Sequence, residues 1–170
     1  NAAYALNLVI KGLIKERCHC IISDIEHNSV LRPLYKTVEE YGAEISIFNS
    51  DNPLSEEIPP LIRQDTKAII STLCSNVTGK ILNLSELSDI AKKNNLLLIT
   101  DASQYTGHAP INLDGVYFTA FCSAGHKSLF GIQGSAFAII KNEELFDTIT
   151  EGGSGVDSFS RTMPLLLPER

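Results

Sequence analysis

Tryptophan is absent from this chain, methionine occurs once, and only four of 170 residues are cysteine. Four cysteines are too few for the disulfide frameworks that hold small secreted domains together. Cys18-His19-Cys20 resembles half of a metal site, but no second close pair of Cys or His supplies the remaining ligands. Structural zinc takes four ligands, so these cysteines read instead as small hydrophobes in or beside strands. No apolar run approaches the roughly 18 residues that span a bilayer. Positive charge is scarce: 14 Lys and Arg stand against 20 Asp and Glu, a net charge of −6. That balance argues against nucleic acid or an anionic membrane as a partner. Glycine (11) and proline (7) are near ordinary levels, which excludes collagen-like and low-complexity chains.

What is present fits one domain with a real core, at roughly 150 residues per domain. Asn1 to Gly12 reads as an amphipathic helix and not as a charged-then-apolar secretion signal. The two Asn-X-Ser/Thr tripeptides at Asn76 and Asn83 therefore carry no weight as glycosylation sites, and a soluble, cytoplasmic chain is expected. There is no initiator Met, and the helical pattern is already running at Tyr4. The expectation is a piece of a longer protein, truncated at both ends.

Leu6, Val9, Ile10 and Leu13 recur at helical spacing over Tyr4 to Lys15. Further helices are predicted over Ser29 to Tyr41, with Gly42 as C-cap, near Glu56 to Arg63, over Ser85 to Asn94 and over Glu143 to Ile149. Short apolar runs predict strands at Cys20 to Ser23, Glu44 to Phe48, Lys67 to Leu73, Leu96 to Thr100, Tyr117 to Cys122 and Ser135 to Ile140. The runs are continuous and do not alternate with polar residues, which marks strands covered on both faces. The predicted fold class is α/β, a mainly parallel sheet sandwiched by helices.

Open parallel sheets bind ligands outside the carboxyl ends of their strands. The residues following the predicted strands include His27, then Asn76, then Asp101 and Gln104, then His126 and Lys127. Singly, each has a plain structural explanation: Asp101 or His27 entering a helix or turn, Asn76 in a turn before Gly79, Lys127 on the surface. Jointly they place a cation, an anion, two imidazoles and two amides along one sheet edge, which favours a site. The chain lacks G-x-G-x-x-G for a dinucleotide, G-x-x-x-x-G-K-[ST] for a phosphate loop, and the G-x-S-x-G elbow of a hydrolase. A lysine amine and a carboxylate do suit pyridoxal phosphate, which needs the first for a Schiff base and the second beside its ring nitrogen.

The runs Ser23-Asp24-Ile25-Glu26-His27-Asn28-Ser29-Val30, Ser75-Asn76-Val77-Thr78-Gly79, Asp101-Ala102-Ser103-Gln104 and Gly125-His126-Lys127 strongly resemble the class V aminotransferase family, in its cysteine desulfurase branch. The resemblance covers nearly the whole chain in the right order, including the glycine-rich runs at Gly131 to Gly134 and Gly152 to Gly155. It implies the large domain of a fold type I, pyridoxal 5'-phosphate-dependent enzyme, without its N-terminal segment and C-terminal small domain. It implies that Lys127 holds the cofactor as a Schiff base and moves the substrate α-proton, and that Asp101 pairs with the ring nitrogen. His27 would stack on the ring and shuttle protons. Asn76 and Gln104 would contact ring substituents, and His126 would bind the phosphate. Ser154 stands where the family usually has threonine, reaching the phosphate of the partner subunit in a homodimer with a shared active site. The implied reaction takes L-cysteine to L-alanine and an enzyme persulfide, with a sulfur-acceptor protein as a possible further partner.

Two departures from the family pattern bear on phosphate binding. Ala124 occupies the place, three residues before Lys127, where the family has Ser or Thr, with Ser123 next to it. The first helix opens Asn1-Ala2-Ala3, where the family has a hydroxyl-bearing turn. Each lost hydroxyl bond would cost about 1–3 kcal/mol, and backbone N–H groups at Ala2 and Ala3 would remain to serve. No cysteine of this chain is nominated as the sulfur-accepting nucleophile, which in the family lies further along the sequence. Other class V activities, among them an aminotransferase or a selenocysteine lyase, and a non-catalytic domain of the same fold stay open as alternatives.

Overall fold

The computed structural model describes residues 1–150. In chain order the elements are α1 (Ala2–Leu13), β1 (His19–Ser23), α2 (Asn28–Tyr41), β2 (Glu44–Phe48), α3 (Leu54–Glu57), β3 (Thr66–Thr72), α4 (Leu84–Lys93), β4 (Leu97–Asp101), β5 (Ala120–Ala124) and β6 (Ala136–Ile140), with single 3-10 turns at Pro59–Leu61 and Glu143–Leu145. The strands form one six-stranded sheet in the order β2-β1-β3-β4-β5-β6. All neighbours pair in parallel except β5 and β6.

The continuous apolar runs have the cause expected of them. Along β1, Cys20 and Ile22 enter the cluster that holds Leu6, Val9 and Ile10 of α1 with Val30 and Leu34 of α2. Ile21 between them enters a second cluster with Leu54 of α3 and Leu87 and Ala91 of α4. β3 and β4 divide in the same way, with Ile70 and Ile99 to the first cluster and Ile69 and Leu98 to the second. A strand buried on both faces has no polar register to keep, and so loses the in–out alternation.

Three sequence expectations are corrected. The strand expected over Tyr117 to Cys122 begins only at Ala120 and runs on to Ala124. Tyr117 is turned away from the ladder, its N–H bonded to Ser88 Oγ at 2.8 Å and its hydroxyl to the Leu96 carbonyl at 2.9 Å. The helix expected over Glu143 to Ile149 is one 3-10 turn; Asp147 is held by an N–H bond to the Gly12 carbonyl of α1 and an ion pair with Lys15 just beyond it. The helix expected near Glu56 to Arg63 is instead α3 followed by a 3-10 turn, because Pro59 and Pro60 have no N–H to continue it. β6 also differs from a strand covered on both faces, since Ile139 and Ile140 are exposed. Among the described residues no helix is long and apolar enough to cross a membrane.

Candidate cofactor site

A cavity of about 250 Å³ opens at the carboxyl ends of the parallel strands. Ligand pockets usually hold roughly 300–1,000 Å³, so this one suits a single small aromatic ring with its substituents. Its lining includes Ala2, Ala3, His27, Asn76, Asp101, Gln104, His126 and Lys127. Every nominated residue up to Lys127 is therefore brought to one place. Ser154 lies outside the described residues.

Each side chain is held by its own element. Asp101 ends β4, is 4% exposed, and accepts the Ser103 N–H on Oδ1 at 2.9 Å. His27 caps α2, its Nδ1 accepting the Ser29 N–H at 3.1 Å. That acceptance puts the proton of the neutral ring on Nε2. Asn76 projects from a turn closed by Ser75, whose hydroxyl accepts the N–H groups of Val77 and Thr78. His126 Nδ1 lies 3.0 Å from the Ser135 carbonyl. A carbonyl only accepts, so Nδ1 carries a proton, and Nε2 donates to an anion only when the ring is doubly protonated. The Lys127 backbone is fixed by bonds on both sides, Phe130 N–H to the Lys127 carbonyl at 2.9 Å and Gly131 N–H to the Gly125 carbonyl at 2.8 Å. Its ammonium has no ion-pair or hydrogen-bond partner among the described residues.

Gly125 and Gly107 permit this loop. A Cβ on Gly125 would meet Ser135 Oγ at 2.6 Å, crowding the side chain of the residue whose carbonyl orients His126. A Cβ on Gly107, at φ +91°, would meet the Ser128 carbonyl oxygen at 2.5 Å, directly behind Lys127.

The same lining also offers a place for an anion. The first N–H groups of α1, on Ala2 and Ala3, have no acceptor among the described residues, and helix N-termini with free amides attract phosphates. Ala124 also lines the cavity, whereas Ser123 does not. The Ser123 hydroxyl is buried and faces the carbonyls of Ala102 and Ala124 at 3.4 Å, so it does not replace the hydroxyl missing from Ala124. Six lining residues went unnominated: Asn1, Ser29, Thr72, Cys74, Ser103 and Ala124. All of them sit within three positions of a nominated residue or a strand end, and that adjacency was the available signal. Burial pushes the Cys74 thiol up and the Cys122 thiol up to about 12, with the Asp101 charge assisting at Cys122. Neither has the lowered thiol of a reactive cysteine.

The aminotransferase class-V family model matches residues 1–163. The chain belongs to that family. Among class-V relatives, it is 31% identical over 155 residues to the cysteine desulfurase IscS of Dictyoglomus turgidum, covering 87% of this chain and 39% of that protein. The IscS of Methanosarcina thermophila is 30% identical and is covered over 38% of its length. The chain thus spans under half the length of these relatives. Of the solved class-V structures, the apo cysteine desulfurase of Thermococcus onnurineus NA1 superposes with a TM-score of 0.79 at 27% identity, over 90% of this chain and 40% of that one. A C-DES variant with glycine covalently linked to its pyridoxal phosphate shares the fold, with a TM-score of 0.79 at 17% identity. Pyridoxal 5'-phosphate is the cofactor of the family, and the donor set fits it: a free amine, a buried carboxylate, a ring-sized gap and unpaired amides for a phosphate.

Proposed function

We propose that this chain forms the cofactor-binding part of a pyridoxal phosphate-dependent, cysteine desulfurase-like enzyme. The observation that carries the reading is the convergence of Lys127, Asp101, His27, Asn76, Gln104 and His126 on one cavity at the sheet edge. Bound there, pyridoxal phosphate supplies an electron sink for cleavage at the α- and β-carbons of an amino acid.

Lys127 would hold the cofactor covalently through Nζ, and its amine would carry the substrate α-proton. Asp101 accepts a hydrogen bond from the ring nitrogen, a charge-assisted contact of roughly 1.5–3 kcal/mol. Ser103, by occupying Oδ1, orients that carboxylate. His27 would stack against the ring and move a proton through Nε2. Asn76 and Gln104 orient the ring through its substituents. His126 and the amides of Ala2 and Ala3 receive the phosphate, as the chemistry of a helix start supports. The proposed overall reaction converts L-cysteine to L-alanine, with the sulfur passing to a cysteine of the complete protein and then to an acceptor. The proposed assembly is a homodimer that shares active-site residues.

Protein incubated with pyridoxal phosphate is expected to absorb at about 420 nm, the range of a protonated lysine imine, and Lys127→Ala is expected to abolish the band. A wild-type chain without the band, or a band that survives Lys127→Ala, overturns the reading and leaves a non-catalytic domain of the same fold.

A further inference from the structure

The proposed chemistry leaves one buried acid unused. Glu26 lies in the β1–α2 turn, immediately before His27. Its Oε1 accepts the Thr72 backbone N–H at 2.7 Å and also the Ser23 hydroxyl. Its Oε2 is shielded from solvent and has no partner among the described residues, although the residue as a whole is half-buried. The β1–β3 register ends at Ile22 opposite Ile70, so the Thr72 amide lies beyond the ladder that would otherwise bind it. The Glu26 carboxyl takes the place of the missing strand carbonyl. Thr72 is in turn the register partner of Asp101 across β3 and β4. One side chain therefore joins the turn that presents His27 to the strand end that flanks Asp101.

The titratable group facing this carboxyl is Asp101 at the end of β4, while β1 and β3 contribute only Ser23 and Thr72. Among the described residues no ion pair includes Glu26. Burial, against the pull of its two donors, pushes the Glu26 carboxyl up to about 8, and the Asp101 charge acts in the same direction. An ionised Glu26 would leave one unsolvated oxygen without a donor and set a second negative charge toward Asp101.

We propose that Glu26 is a positioning residue that works as a neutral acid, its carboxyl locking the His27 turn onto the end of β3 so that His27 and Asp101 keep their places around the ligand. The inference rests on pyridoxal phosphate being that ligand. Ionisation loosens the lock, so affinity for the cofactor falls as pH climbs, and a side chain that cannot ionise keeps it.

The test uses the full-length protein and two variants. E26A removes the acceptor; E26Q keeps it and stays neutral. Affinity for pyridoxal phosphate is read from the absorbance band, and unfolding of the cofactor-free protein from thermal melts. At pH 7, E26A is expected to bind about tenfold more weakly and E26Q to stay within about twofold of wild type. Between pH 7 and 9 the wild type should lose affinity relative to E26Q, and its melting temperature should fall relative to E26Q as pH rises to about 8. E26A binding like wild type, E26Q as weak as E26A at pH 7, or coincident pH profiles for E26Q and wild type would each overturn the proposal. Should E26A fail to fold, the E26Q pH comparison decides alone. A wild type that binds no pyridoxal phosphate overturns the proposed function together with this inference. A wild type that binds it with a Lys127-dependent band, but shows no Glu26 effect, overturns only the inference.

Discussion

A hydroxyl's worth depends on where its backbone aims it, and Ser123 and Ala124 show the difference. The two are adjacent at the end of β5, so they face opposite sides of the sheet edge. Ser123 spends its hydroxyl on the Ala102 and Ala124 carbonyls, while Ala124 lines the cavity without one. Ala124→Ser is therefore expected to strengthen pyridoxal phosphate binding by about fivefold, the equivalent of one net hydrogen bond of about 1 kcal/mol. Ser123→Ala is expected to leave that affinity within about twofold, although it removes a buried hydroxyl. Absorbance titration of both variants checks the pair; a tighter Ser123→Ala or an unchanged Ala124→Ser contradicts the assignment. At this scale, residue types at strand ends were legible in the sequence because spacing alone puts them on one edge. Their proton positions were not. The His126 tautomer is set by the Ser135 carbonyl, brought there by an antiparallel return that no spacing rule announced. Glu26 stayed hidden because its acceptor role depends on Thr72, 46 positions away in the chain.

Elements whose cause is local were legible; those whose cause is tertiary were displaced. Strands β1, β3 and β4 follow from apolar runs, and α2 from its pattern and its stop. Gly42 sits at φ +71° as the C-cap of α2, its N–H on the Val38 carbonyl. A side chain there strains the left-handed backbone, so Gly42→Ala is expected to destabilise by about 1–2 kcal/mol. At the start of α4, Asn83 accepts the N–H groups of Ser85 and Glu86, and Asn83→Ala should cost about 1 kcal/mol. Urea midpoints of the two variants measure both losses, and a midpoint unchanged for either removes the corresponding cap. The β5 boundary, by contrast, could not be read from residues 117–119. Thr119 is β-branched and apolar neighbours flank it, yet its hydroxyl accepts the Leu98 N–H at 3.1 Å and its own N–H reaches the Leu98 carbonyl at 2.8 Å. Those bonds exist only once β4 is in place, and they delay the strand until Ala120.

Across the molecule, the two ends of the sheet carry titratable groups whose pH effects oppose each other. His19 opens β1 at the amino end of the sheet and is fully buried, its ring nitrogens bonded to the Thr66 and Ser46 hydroxyls at 2.8 and 2.9 Å. Burial, with the Arg63 charge, holds its pKa below the ordinary 6.5. A lowered histidine favours the neutral folded form, so its contribution is complete above 6.5 and drains away as pH falls. Glu26, at the carboxyl end, has the opposite sign: its raised carboxyl contributes fully below 4.5 and loses that contribution as pH rises to about 8. Glu44, paired with the Arg17 and Arg63 guanidiniums that lower it, adds to the loss on the acid side. Melting temperature is therefore expected to peak between the two limbs, and the limbs should separate by mutation. His19→Gln, whatever its fixed cost, should flatten the decline between pH 7 and 5 and leave the alkaline limb as it was. E26Q should flatten the decline over the whole window from pH 4.5 to about 8 and leave the loss below pH 4.5 as it was. Melts at constant ionic strength measure both slopes. If each variant keeps the wild-type slope on its own limb, neither end of the sheet stores the proton linkage described, and the burial assigned to these two side chains is wrong.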